Sequence, residues 1–264
     1  MNEPDGLNVF LKLDTGTHTS AIVQMLVTPD GRTLITAGEC TVRVWDAETR
    51  RQRFMLLGQV VDRSEEVFGS GNVLRMAVSP KDGRSLVVLK SWWPARGTSG
   101  RQRTATEVQV FNIETGNLQA RFLQKGDASD LDFSPDGRFL ALAGQQATVQ
   151  VFAARDVLNA GFDQPPVALA GRRFGTRGGS TSAAVAVRFV PGGHWRAGTR
   201  GLVVAQADRL DWACFSPGSG LQRDRSEAFD FKLLPETLTV NEDWAVVAAA
   251  DMVPYDGVTM GHVV

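Results

Sequence analysis

Residues that carry metal or nucleophile chemistry are scarce: the chain has three histidines and two cysteines in 264 residues. His18, His194 and His262 are far apart in the sequence, and neither cysteine has a histidine at ligand spacing or a nucleophile motif around it. Gly97-Thr98-Ser99-Gly100 is not a nucleophile elbow, and no phosphate-cradling glycine loop ending in Lys-Ser or Lys-Thr occurs. The reading is therefore non-enzymatic, with no cofactor and no metal. Cys40 and Cys214 are two isolated thiols 174 positions apart, which fits a reducing compartment, read as the cytoplasm, better than a disulfide framework. Charge of one sign is also lacking: net −1 and pI about 6.3 leave the whole chain no pull toward nucleic acid or an anionic membrane. No run approaches the roughly 18 apolar residues of a membrane span, and Met1 to Gly6 lacks the basic and apolar regions of a signal peptide.

Turn residues are abundant, with 27 glycines and 11 prolines among short alternating apolar runs, the composition of an all-β protein. The clearest unit lies between His18 and Asp46. Ile22 to Val27 and Thr33 to Ala37 alternate around Pro29-Asp30-Gly31-Arg32, and Thr41 to Trp45 supplies a third run. Three strands in about 28 residues cannot bury both sheet faces alone, so the unit needs neighbours.

Those neighbours recur along the chain. Pro29, Pro80, Pro135 and Pro191 mark equivalent hairpins at separations of 51, 55 and 56 residues. Phe111 stands where Trp45 stood, and Asn112 replaces Asp46. A fourth unit is degenerate, and a fifth begins at Leu238-Thr239-Val240, continues with Trp244 to Ala249 and ends with Val258 to Val264.

The first unit resembles a WD repeat. His18-Thr19 at the entry, Thr28-Pro29-Asp30-Gly31-Arg32 at the hairpin, Thr41-Val42-Arg43-Val44-Trp45-Asp46 in the third strand and Glu48-Thr49 after it carry the resemblance. It implies a β-propeller of antiparallel four-stranded blades, here partial: four blades and most of a fifth, approximately 14–57, 72–122, 127–170, 183–229 and 233–264, with an opening strand at 8–13. In that family such a strand commonly completes the last blade. The expectation is a single propeller that is the N-terminal part of a longer protein or is completed by another chain. The resemblance also implies a blade-stiffening hydrogen-bond network of His18, Thr36 and Trp45, with Glu39 at the family's aspartate position. The alternative is packing without the network.

Function follows the resemblance: a scaffold presenting loops to a protein partner. A second reading is a regulatory or sensor propeller of a larger effector, because Leu13 to Thr19 is similar to the entry of bacterial propellers attached to caspase-like peptidases. A third is nucleic-acid binding through arginine-rich loops, which the net charge disfavours. The candidate partner-binding residues are Trp92, Trp93, Arg96, Arg101 and Arg103, in an insertion from Ser91 to Glu107, and Arg172, Arg173 and Arg177, in a connection from Gly171 to Ser182. The competing reading has Trp92 extending a strand into the core and the arginines solvated. Strand alternation puts these two stretches, and the acidic loop Gly58 to Gly71, on one face of the propeller.

Overall fold

The computed structural model describes residues 16, 18, 21–38, 41–56, 62–63, 66–67, 72–92, 105–126, 128–144, 147–162, 164–175, 185–191, 198–228, 238–240, 246–247, 250–255 and 258–263. Four sheets of four antiparallel strands follow one another along the chain. Blade 1 comprises β1 (Gln24–Val27), β2 (Thr33–Ala37), β3 (Val42–Asp46) and β4 (Gln52–Leu56). A two-residue ladder, β5 (Asp62–Arg63) with β6 (Glu66–Val67), follows it. Blade 2 comprises β7 (Val73–Val78), β8 (Ser85–Trp92), β9 (Ala105–Asn112) and β10 (Leu118–Lys125).

Blade 3 comprises β11 (Ala128–Phe133), β12 (Phe139–Gly144), β13 (Thr148–Ala153) and β14 (Ala170–Arg173), with the short helix α1 (Ala154–Leu158) after β13. Blade 4 comprises β15 (Ala186–Phe189), β16 (Arg200–Gln206), β17 (Arg209–Ser216) and β18 (Gly220–Ala228). Two ladders of two strands complete the description: β19 (Thr239–Val240) with β20 (Val246–Val247), and β21 (Ala250–Tyr255) with β22 (Val258–Val263).

The hairpins repeat one piece of chemistry. Thr28 Oγ1 donates to Asp30 Oδ1 at 2.6 Å, Asp30 accepts the Arg32 N–H, and the Thr33 N–H returns to Thr28 Oγ1. Ser134, Asp136, Arg138 and Phe139 make the same set in blade 3. The glycine between aspartate and arginine has φ +71° at Gly31 and +65° at Gly137, a conformation L side chains rarely adopt. At Gly137 a Cβ would also lie 2.6 Å from Lys81 Cβ, so this glycine lets blade 3's turn approach blade 2's.

Every seam between consecutive blades is apolar. Ile35, Val44 and Leu56 of blade 1 meet Met76, Leu86 and Phe111 of blade 2. Val87, Val108 and Phe122 of blade 2 meet Leu131, Leu140 and Phe152 of blade 3. Val149, Val151 and Phe174 meet Val187, Leu202 and Phe215 of blade 4. Phe111, Phe152 and Phe215 are almost wholly buried, and truncating such a side chain costs about 3–5 kcal/mol. Period-two alternation gives each strand one apolar face toward each neighbouring blade, which is why a blade needs neighbours to bury both faces.

Three expectations change. The last strand of blade 3 is Ala170–Arg173 rather than Val167 to Ala170. Pro165 and Pro166 lack the N–H that a ladder needs, so pairing starts later and leaves Val167 86% exposed. The insertion of blade 2 is shorter than Ser91 to Glu107: Ser91 pairs with Thr106 and Trp92 with Ala105, and buried Glu107 is ion-paired with Arg121. In the fifth unit a strand at Ala250–Tyr255 pairs with β22. Pro254 hides it in the sequence, although the outer edge of a two-stranded ladder accommodates proline. The proposed opening strand, 8–13, lies outside the described residues.

Candidate functional site

The entry of blade 1 is tied together by polar side chains. His18 Nε2 lies 2.7 Å from Thr36 Oγ1, and Trp45 Nε1–H donates to the same hydroxyl at 2.8 Å. His18 Nδ1 lies 3.1 Å from Thr41 Oγ1, so a threonine of β3's entry holds the far side of the ring. Glu39, expected at that place, lies outside the described residues. Burial and the Arg43 guanidinium hold the His18 pKa below the usual 6.5, which keeps the imidazole neutral with one nitrogen as donor and one as acceptor. Neutral and saturated by hydroxyls, it is a fixing element rather than a reacting group.

A second polar system runs along the first strands of the blades. Gln24 of β1 clamps the next blade's first strand by accepting the Met76 N–H at 2.7 Å and donating to the Met76 carbonyl at 3.0 Å. Asp130 of β11 accepts the Val187 N–H of β15 at 2.9 Å. It also binds Arg75 of β7 at 2.6 Å and Arg188 of β15 at 2.5 Å, so one buried carboxylate joins three blades. Asp132, two residues on, accepts the Phe189 N–H at 2.7 Å. Burial pushes the Asp132 carboxyl up to about 7, against the pull of Arg188 and the Phe189 N–H.

The sequence carried a signal for these clamps. Gln24, Arg75 and Asp130 each stand four residues before Thr28, Ser79 and Ser134, polar side chains inside otherwise apolar strands. Blade 4 has Ala186 at the corresponding place and buries its charge elsewhere, as Asp211 with Arg223 at 3.0 Å and Gln206 at 2.7 Å.

The candidate partner residues are only partly in view. Trp92 is the last residue of β8. Arg172 and Arg173 belong to β14 and are exposed, not part of the following loop as expected. An outermost strand pairs on one side only and tolerates such charges. The Arg172 guanidinium lies 5.9 Å from the centre of the Phe174 ring. Trp93, Arg96, Arg101, Arg103 and Arg177 lie outside the described residues. In the antiparallel order β8 ends, β9 begins and the last strand of each blade ends at one end of the strands, and the hairpins after the first strands lie at the other.

Residues 11–46 match the family model of the WD domain, G-beta repeat. The chain carries a WD repeat. The match ends at Asp46, the last residue of β3, and its described part spans the His18, Thr36 and Trp45 contacts. The later four-stranded sheets are consistent with a WD-repeat propeller. No curated protein matches the chain. WD repeats generally mediate protein–protein interaction, and the family is typically non-enzymatic. Among the described residues no three His, Cys, Asp or Glu side chains are grouped to hold a metal, and no helix is long and apolar enough to cross a membrane.

Proposed function

We propose that the protein is a non-enzymatic interaction scaffold: a stack of WD-type blades that holds loops in fixed positions for a protein partner. The observation that supports this most is the use of its buried polar groups. Gln24, Asp130 and Asp132 are spent on the backbone of neighbouring blades, and His18 on holding β2 and β3 within its own, so these groups fix relative positions. The end of the blades that carries Trp92, Trp93, Arg96, Arg101 and Arg103 is the partner face in this reading, with tryptophan as apolar anchor and arginine as polar contact. Arg172 and Arg173 flank it from the rim of blade 3, and Arg177 lies in the connection beyond.

The test is to replace residues 93–104 with a short glycine-containing turn, verify an unchanged melting temperature, and measure partner capture from a lysate of the source cell. The scaffold reading expects loss of specific partners. Full capture by the shortened protein would contradict this placement of the face.

A further inference from the structure

The hairpin end of the blades, opposite the face just described, carries two adjoining grooves. One, of about 520 Å³, lies between the hairpins of blades 1 and 2 and is lined by Arg32, Arg53, Lys81 and Arg84, with Asp30, Asp82 and Glu114. The other, of about 410 Å³, lies between blades 2 and 3 and is lined by Lys81, Arg138, Arg155 and Asp156 around Phe139 and Leu169. Lys81 borders both, so the grooves form one track across three blades.

The acidic groups of this track are already engaged. Asp30 accepts the Thr28 hydroxyl and the Arg32 N–H, and Asp82 accepts the N–H groups of Arg84 and Ser85. Glu114 pairs with Arg84 at 3.1 Å and Asp156 with Arg155 at 3.2 Å. Arg32, Lys81 and Arg138 are exposed and form no ion pair among the described residues. In blades 1 to 3 an arginine follows the Asp-Gly pair of the hairpin, as Arg32, Arg84 and Arg138, and each is exposed. In a chain of net charge −1 this track is a local positive strip.

Its apolar part is equally uneven. Leu169 is 44% exposed beside Phe139, and on the same segment Phe162 and Val167 also face solvent, flanking Pro165-Pro166. Exposed apolar side chains bordered by cations suit an occupant with a large apolar anchor flanked by carboxylates. A polyphosphate backbone fits less well, because the apolar floor of Phe139 and Leu169 offers it nothing.

We infer that the track from Arg32 through Lys81 to Leu169 is a binding site for an acidic linear peptide that seats one large apolar side chain between Phe139 and Leu169. This rests on the scaffold reading and adds a second contact at the opposite end of the blades. The probe is a fluorescein-labelled 12-residue peptide of Asp and Glu with a central Leu-Phe pair, titrated at low salt and followed by anisotropy. Controls replace the acids by Asn and Gln, or Leu-Phe by Ser-Ser, and a 12-nucleotide oligothymidylate provides a polyphosphate probe.

Saturable binding is expected, weakened about tenfold by Lys81→Glu and by Arg138→Glu, by a similar factor in the neutral peptide, and about fivefold in the Ser-Ser peptide. Arg32→Glu, remote from the hairpin contact at Gly137, gives an independent check with unchanged melting. Absence of saturation, indifference to all three substitutions, or tighter binding of the oligothymidylate would overturn the assignment. Such a failure leaves the scaffold reading to be judged by the 93–104 replacement, which alters none of the residues named in either groove.

Discussion

Asp130 makes the sharpest single-residue case. With the Asp130 side chain 2% exposed and both Arg75 and Arg188 bound to it, its removal takes away the buried carboxylate that the two guanidinium groups share. Asp130→Ala should cost about 3–5 kcal/mol in urea unfolding. The double variant with Arg188→Met should recover part of that loss, because one of the stranded charges goes with it. Asp132 gives a pH signature. Its folded-state pKa of about 7 lies above the ordinary value of 3.8, so the folded form binds the extra proton between them. Its contribution to stability is complete below about pH 3.8 and is lost as pH rises to about 7. His18 works in the opposite sense: with its pKa lowered, its contribution is present above 6.5 and is lost as pH falls through the folded value. Urea midpoints measured from pH 5 to 8 should therefore rise toward acid in His18→Gln, and the Asp132 slope should vanish in Asp132→Asn.

Elements were legible where turn chemistry and alternation agreed. The Thr-Pro-Asp-Gly-Arg hairpin places β1 and β2 from sequence alone, since the Thr28 and Asp30 side chains tie the turn to its own backbone. The last strand of blade 3 was misplaced because Val167, Ala168 and Leu169 alternate like a strand while the prolines before them deny the ladder its donors. The His18, Thr36 and Trp45 contacts could be anticipated through the family resemblance, whereas the Asp130 cluster depends on spacing between blades that one repeat does not reveal. The β3–β4 turn supplies another test. Arg50 has φ +58°, and at the equivalent place in blade 2 stands Gly116 with φ +74°. Arg50→Gly should stabilise the fold by about 0.5–1 kcal/mol, read by thermal unfolding, because the left-handed conformation costs glycine nothing.

For the molecule as a whole, blade 1 shows what a seam contributes. Met25 and Val27 of β1 are 62% and 59% exposed, whereas Met76, Leu131, Val187 and Phe189, on the corresponding face of the later first strands, are nearly buried by the preceding blade. The same side-chain pattern is core or surface according to whether a neighbour covers it. Blades 1 to 4 should therefore unfold as one cooperative body, coupled by apolar seams and by the Gln24 and Asp130 clamps, the rigidity that the proposed scaffold role needs. Hydrogen exchange followed by mass spectrometry at rising urea tests this most directly, by comparing peptides covering β7, β11 and β15. The account predicts that all three lose protection with one common urea dependence, and that Asp130→Ala lowers all three together. Separate dependences, with β11 exposed by the substitution while β7 and β15 keep their protection, would contradict it.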